Sequence, residues 1–171
     1  MLDLILVGYA TKSGSTEEVA EAIAHELGEH GFSIDLYQVD RIKKFEGYKL
    51  ILLGAPLYIM RWHKDMRRFL KNHQKELMGK PIAIFALGPT HDAQEEFESA
   101  KEQLDKELEK FPWLKPIEIK MFVGKFDPSQ IGFPFSLIGP LKDMPFSDER
   151  NWDEINEWAA NLAEALKKSE D

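Results

Sequence analysis

Leu4-Ile5-Leu6-Val7-Gly8-Tyr9-Ala10-Thr11-Lys12-Ser13-Gly14-Ser15-Thr16 is the stretch on which the fold turns. It begins as an apolar run and becomes a hydroxyl-rich loop with one glycine. The residues Val19, Ala20, Ile23, Ala24 and Leu27 then follow at helical spacing. A strand that turns at once into a helix presents the helix's first backbone N–H groups, which lack intrahelical partners, and the positive end of its dipole. Thr11, Ser13, Ser15 and Thr16 add hydroxyl donors, and Gly14 lets the backbone close around a ligand. Such a loop is suited to an anion, above all a phosphate. It is neither a Walker loop, which needs Gly, four residues, Gly, Lys and Ser or Thr, nor a three-glycine dinucleotide fingerprint. The plainer alternative is a helix start capped by Ser15, with Glu18 completing a capping box. Lys12 is open to two roles, an ammonium that offsets phosphate charge or a side chain in water.

Outward from this stretch, strands and helices alternate. Residues 2–9 read as a strand buried on both faces, followed by a helix over about 15–30 that stops at Gly31. Residues 32–39 alternate as an edge strand, 40–47 are a polar connector, and 48–54 form a second buried strand. Pro56 opens a non-helical aromatic loop over 55–63, and a helix with Met66, Phe69 and Leu70 inward follows. Residues 82–87 are a third buried strand that opens into Gly88-Pro89-Thr90-His91-Asp92. An amphipathic helix over 93–110, a strand over 117–123 and a final helix carrying Trp152, Ile155, Trp158, Ala159, Leu162 and Leu166 complete the chain. This order predicts a three-layer α/β/α sandwich, a single domain over 1–171 with a five-stranded parallel sheet in the order 2-1-3-4-5. Loops 11–16, 55–63 and 88–92 then leave one edge of the sheet and converge on one pocket.

Composition bounds the partners. The chain has 171 residues, 43% hydrophobic and 30% charged, which suits one globular domain with a proper core. A net charge of −8 disfavours nucleic acid and acidic membrane surfaces. There is no cysteine, hence no disulfide and no Cys-ligated metal centre. No apolar run approaches the ~20 residues that span a bilayer, and the first residues lack a basic leader, so a cytoplasmic location is expected. His25, His30 and His73 show no metal-ligand pattern. His63 and His91 stand on ligand-side loops, where a surface or helix-capping role is weighed against proton transfer and no catalytic residue is assigned.

A phosphate cradle beside an aromatic loop suits a flat ring bearing a phosphorylated side chain, and FMN is such a molecule. The spacing Tyr9, Thr11, Gly14, Thr16, Ala20 resembles the FMN-phosphate signature of the flavodoxins. Gly54, Pro56, Tyr58, Trp62, His63, Lys64, Phe69 and Leu70 resemble the second loop of a flavodoxin-domain group that includes the menaquinone-dependent protoporphyrinogen oxidases. Asp148, Arg150, Trp152, Asp153, Ile155, Trp158 and Ala159 are similar to that group's Asp-x-Arg-Asp-Trp-Asp segment, with Asn151 departing from it. The resemblance implies a flavodoxin-like fold and one noncovalent FMN that passes electrons to or from a partner protein, a quinone or a porphyrinogen. The cofactor-binding residues expected are Thr11, Lys12, Ser13, Gly14, Ser15 and Thr16 for the phosphate. Pro56, Leu57, Tyr58, Ile59, Met60, Trp62, Gly88, Pro89 and Thr90 are expected for the ring, with Tyr58 or Trp62 stacking on it. The acidic net charge is expected to disfavour further negative charge on the reduced ring and so to lower its potential.

Residues 127–150 are apolar and broken by Pro134, Pro140 and Pro145. They are either an extended flap packed on the domain or an exposed surface that meets a quinone, a tetrapyrrole, a membrane interface or a second subunit. The alternative function on the same fold is a non-redox module that binds another phosphorylated ligand or acts as an interaction scaffold.

Overall fold

The structure is a computed structural model that describes residues 2–58, 61–132 and 135–169. Five parallel strands, β1 (Leu4–Tyr9), β2 (Ser33–Gln38), β3 (Leu50–Tyr58), β5 (Ile82–Leu87) and β6 (Glu118–Phe122), form a sheet in the order β2-β1-β3-β5-β6. Counted alone they have the predicted order 2-1-3-4-5. A short strand, β4 (Arg61–Trp62), pairs antiparallel with the end of β3, and β7 (Lys125–Phe126) pairs with β8 (Ser147–Asp148) in a separate two-stranded sheet.

Alternation along the central strands divides the interior in two, because successive side chains leave opposite faces of a pleated sheet. Ile5, Val7, Leu50, Leu52, Ala83 and Phe85 point to the side covered by α1 (Ser15–Glu29) and α6 (Trp152–Lys168). Leu6, Ile51, Leu53, Ile82, Ile84 and Ala86 point to the side covered by α2 (Lys64–Asn72), α3 (Gln74–Leu77) and α4 (Gln94–Leu108). Both faces are therefore apolar, as the unbroken hydrophobic runs require. A sixth helix, α5 (Gly139–Lys142), is a single turn within the 127–150 excursion, whose two ends the β7–β8 pair holds together.

One contact favours the register of the central strands. Gly54 lies opposite Phe85 in the β3–β5 register, and the fully buried Phe85 ring occupies the space a side chain there would take. A Cβ on Gly54 would stand 1.9 Å from Phe85 Cζ.

The structure departs from expectation after Gly54. The strand does not end there but continues through Pro56, which pairs in register with Leu87, to Tyr58. Proline is tolerated because the pairing of β3 with β1 ends at Gly54, so no β1 acceptor is left without an N–H, and the Pro56 carbonyl still accepts a hydrogen bond from His63 N–H at 3.0 Å. The expected aromatic loop is thus a hairpin, with Leu57 opposite Trp62 and Tyr58 opposite Arg61.

Gly54→Ala is expected to lose about 3 kcal/mol or more of stability, the upper range of overpacking a filled core. Adding Phe85→Leu should recover part of it, so that the double variant is more stable than the sum of the single losses. Urea unfolding checks this, and an unchanged midpoint for Gly54→Ala would refute the packing argument.

Candidate functional site

Loop 11–14 carries β1 into α1. Gly14 precedes the helix with φ +90°, a left-handed conformation costly for other residues, and its N–H donates to Thr11 Oγ1 at 2.9 Å. Ser15 is therefore the first helical residue and not its cap, and no side chain caps α1. The first helical hydrogen bond runs from Glu18 N–H to the Gly14 carbonyl, so the N–H groups of Ser15, Thr16 and Glu17 have no intrahelical acceptor. Thr16 is fully buried, and its hydroxyl has no hydrogen-bond partner among the described residues.

The acidic first turn would repel an anion were its carboxylates free. Both are engaged elsewhere. Tyr9 donates its hydroxyl to Glu17 at 2.7 Å, and burial followed by this bond pushes the phenol up to about 12. Glu18 pairs with Arg150 at 2.8 Å. The Arg150 side chain is only 3% exposed; it also donates to the Ser15 carbonyl and to both oxygens of Asp148. The hydrogen bonds from Arg150 outweigh desolvation and hold Asp148 below the usual carboxylate range. Through this guanidinium, β8 is fastened to the first turn of α1.

A cleft opens beyond the carboxyl ends of β1, β3, β5 and β6. Lys12, Ser13 and Ser15 line it from the first loop, Pro56, Leu57 and Tyr58 from the hairpin, and Gly88, Pro89 and Thr90 from the loop after β5. Residues 124–127 with Gln130 and Ile131 close the fourth side. Its cavity volume is about 90 Å³. Lys12 Nζ stands 3.6 Å over the centroid of the Tyr58 ring, which identifies a cation–π contact.

The loop after β5 is held by α4. One oxygen of Glu96 accepts from the backbone N–H groups of Thr90 and His91 and from the Thr90 hydroxyl, and the other meets His91 Nδ1 at 3.0 Å. Burial would raise the Glu96 carboxyl, but these hydrogen bonds outweigh it and lower it. The Thr90 carbonyl accepts from Ser147 Oγ, so Thr90 faces the cleft with most of its polar groups engaged.

Several expected residues lie elsewhere. Trp62 is 0% exposed and donates its indole N–H to the Ala55 carbonyl inside the α2 side of the core, so it does not share the cleft with Tyr58. The hairpin explains this, since opposite residues share a face and neighbours do not. Ile59 and Met60 lie outside the described residues. Thr11 shapes the loop through Gly14, and neither of them nor the fully buried Thr16 is among the residues that line the cleft, which takes Lys12, Ser13 and Ser15 from this loop. His63 caps α2, its Nδ1 accepting from Asp65 N–H at 3.2 Å. The contribution of 124–131 was not anticipated; the doublet Gly124-Lys125 after a strand was the available signal.

The donor set suits a phosphate ester: free helix N–H groups, a buried hydroxyl without a partner and a nearby ammonium. The cleft carries Lys12 and Lys125 against Asp127, so its local charge is not that of the acidic chain. Among the described residues no helix is long and apolar enough to cross a membrane.

Comparison with known proteins agrees with the topology. A family profile described as "Flavodoxin domain" matches residues 6–134. The protoporphyrinogen IX dehydrogenase [quinone] of Escherichia coli is 31% identical over 84 residues, 48% of this chain and 46% of that protein. The aligned part thus spans about half the length of that relative. A mutant flavodoxin of Pseudomonas aeruginosa superposes with a TM-score of 0.61 at 15% identity, covering 96% of this chain and 99% of that one. An oxidised flavodoxin of Bacillus cereus superposes with a TM-score of 0.54 at 20% identity, covering 97% of each chain. These two likenesses establish the fold.

His63 provides a pH test. Burial lowers its pKa from the ordinary value, Lys64, Lys12 and Arg67 add to the lowering, and Asp65 opposes it. The unfolded chain protonates this ring near pH 6.5 while the folded protein keeps it neutral as a cap. Its contribution is complete above about pH 6.5 and is lost as pH falls toward the lowered folded value. His63→Asn can cap without titrating. The stability difference between wild type and His63→Asn should therefore shift against wild type between about pH 7 and pH 5. Parallel urea-derived stabilities across that range would refute the assignment.

Proposed function

Because the chain belongs to the flavodoxin domain family, we propose that it binds FMN in this cleft and works as a redox protein. The observation that carries this is the first turn of α1, where open N–H groups and the Thr16 hydroxyl, buried without a partner among the described residues, stand next to Ser15, which lines the cleft across from Tyr58. Bound FMN would supply exchange of electrons or hydride at its ring. The chain's own residues would bind and orient it. Ser13, Ser15 and Thr16 donate to the phosphate, Lys12 and the α1 dipole offset its charge, and Gly14 keeps the loop open. Tyr58 offers a ring face, which Lys12 covers in this structure and would have to vacate for stacking. The backbone at Gly88 and Pro89, fixed by Glu96 through the rest of that loop, lies at the ring-edge side.

The likeness to a protoporphyrinogen dehydrogenase supports an oxidoreductase whose electrons pass to or from a quinone or a porphyrinogen, in preference to a pure electron carrier. With Lys12 and Lys125 in the cleft, the local field is less hostile to a negatively charged reduced ring than the net charge suggests. The small cavity favours one competing reading, a phosphorylated ligand without a large ring; binding sites for drug-sized molecules occupy roughly 300–1,000 Å³.

Titrations with FMN, riboflavin and inorganic phosphate discriminate the two, with flavin fluorescence quenching as the readout for the flavins. FMN should bind well and riboflavin at least about tenfold more weakly, since hydrogen bonds to a charged group contribute about 1.5–3 kcal/mol each. Thr16→Val should weaken FMN at least about tenfold while leaving the apoprotein equally or more stable, because it removes a buried hydroxyl that lacks a partner. No uptake of FMN by wild type, or equal affinity for FMN and riboflavin, would defeat the proposal.

A further inference from the structure

A second surface stands apart from the cleft. Lys64, Arg68 and Lys71 recur at i, i+4 and i+7 on the outer side of α2, with Arg67 beside them, while Met66, Phe69 and Leu70 fill the inner side. Lys110 faces them from the end of α4, and the Phe111-Pro112-Trp113 turn forms the far wall, its two rings in an edge-to-face contact at 6.4 Å. Together they bound an open groove of about 880 Å³. Beneath it lies Glu107, a carboxylate 5% exposed, which pairs with Lys110 and lies 3.7 Å from Arg67 and 3.9 Å from Arg61. Asp65 takes up Arg68. Lys64 and Lys71 have no acidic partner among the described residues. A chain of net charge −8 has thus gathered five cations around one groove.

We infer that this groove is a docking face for the acidic surface of another protein. Charge complementarity argues for the occupant. Cations that remain 64% exposed at Arg68 and 50% at Lys110 are too solvated to form a small-anion pocket, but they suit steering of an oppositely charged face through water. Trp113, partly buried over the buried Phe111, supplies an aromatic edge of the kind that anchors interfaces. A nucleic acid would extend beyond the groove and meet the acidic remainder of the chain. The groove also begins beside the cleft: Lys64, which lines it, follows His63, whose N–H donates to the carbonyl of the cleft-lining Pro56 at 3.0 Å. A partner seated on α2 would therefore lie next to the cleft mouth. That this places it for electron exchange rests on the FMN reading, whereas the docking face itself does not.

The test uses the full chain and a twelve-residue poly-L-glutamate peptide as probe, followed by amide chemical shifts. Perturbations should concentrate in residues 64–72 and 110–113. Raising salt from about 20 to about 200 mM should weaken binding several-fold. Lys64→Gln/Arg68→Gln/Lys71→Gln should weaken it at least about fivefold, and the same three changes to Glu at least about tenfold, with FMN uptake unchanged. The Gln variant guards against misfolding caused by new acidic neighbours. Shifts centred elsewhere, unchanged affinity in the Gln variant, or tighter binding of a DNA duplex of equal charge to the same residues would overturn the inference. FMN uptake is measured separately, so failure of the cofactor reading would appear as no uptake with the peptide shifts intact.

Discussion

The contact between Gly54 and Phe85 sets the level at which the central strands end. A ring that fills the place of a missing side chain fixes how β3 and β5 lie against each other, and β1 follows through its own register with β3. Because the three strands are parallel, their carboxyl ends then open at one height, and every loop that leaves them faces the same space. The cleft is a consequence of that alignment. Dense packing makes the alignment a fixed arrangement, since a filled interior does not deform continuously.

The end of the cleft at α1 depends on a division of charge around it. A helix start that carries Glu17 and Glu18 would be poor at holding an anion, yet Tyr9 occupies one carboxylate and Arg150 the other. Arg150 comes from the far end of the chain and reaches Ser15 across 135 residues of sequence, joining the 127–150 excursion to the first turn of α1. The same logic holds the loop after β5, where a single carboxylate, Glu96, gathers two backbone N–H groups and a hydroxyl. Both walls of the cleft are therefore braced by buried or half-buried ionic groups from elements behind them.

Charge is also segregated on a larger scale. The chain is acidic overall, but seven of its 22 Lys and Arg residues line the cleft and the groove along α2. Net charge describes the far field and the response to polyanions, whereas a partner in contact meets the local field. The excursion over 127–150 adds exposed apolar side chains, Leu137, Ile138 and Phe146, beside the fourth wall of the cleft. Its neighbours there, Gln130 and Ile131, are themselves cleft-lining residues.

Hydrophobic periodicity by itself determined the layers, the limits of β5 and the inward residues of α6, because both faces of the central strands must be apolar under covering helices, and the alternation of strand and helix with the crossover rules gave the sheet order. It also placed the loops of β1, β3 and β5 at one edge, through the rule that parallel strands end together. Only tertiary structure decided which side chains entered the cleft. Trp62 and Tyr58 looked equivalent in sequence, and a hairpin turned them to opposite faces; Pro56 looked like the end of a strand, and the strand ran on beyond the last residue of β1, where its missing N–H did no harm. The Arg150 clamp and the wall at 124–131 join residues far apart along the chain, and no local pattern records which distant group will neutralise a given carboxylate. Local sequence carries the period of a strand or helix; the pairing of a charge with its partner is a property of the folded whole.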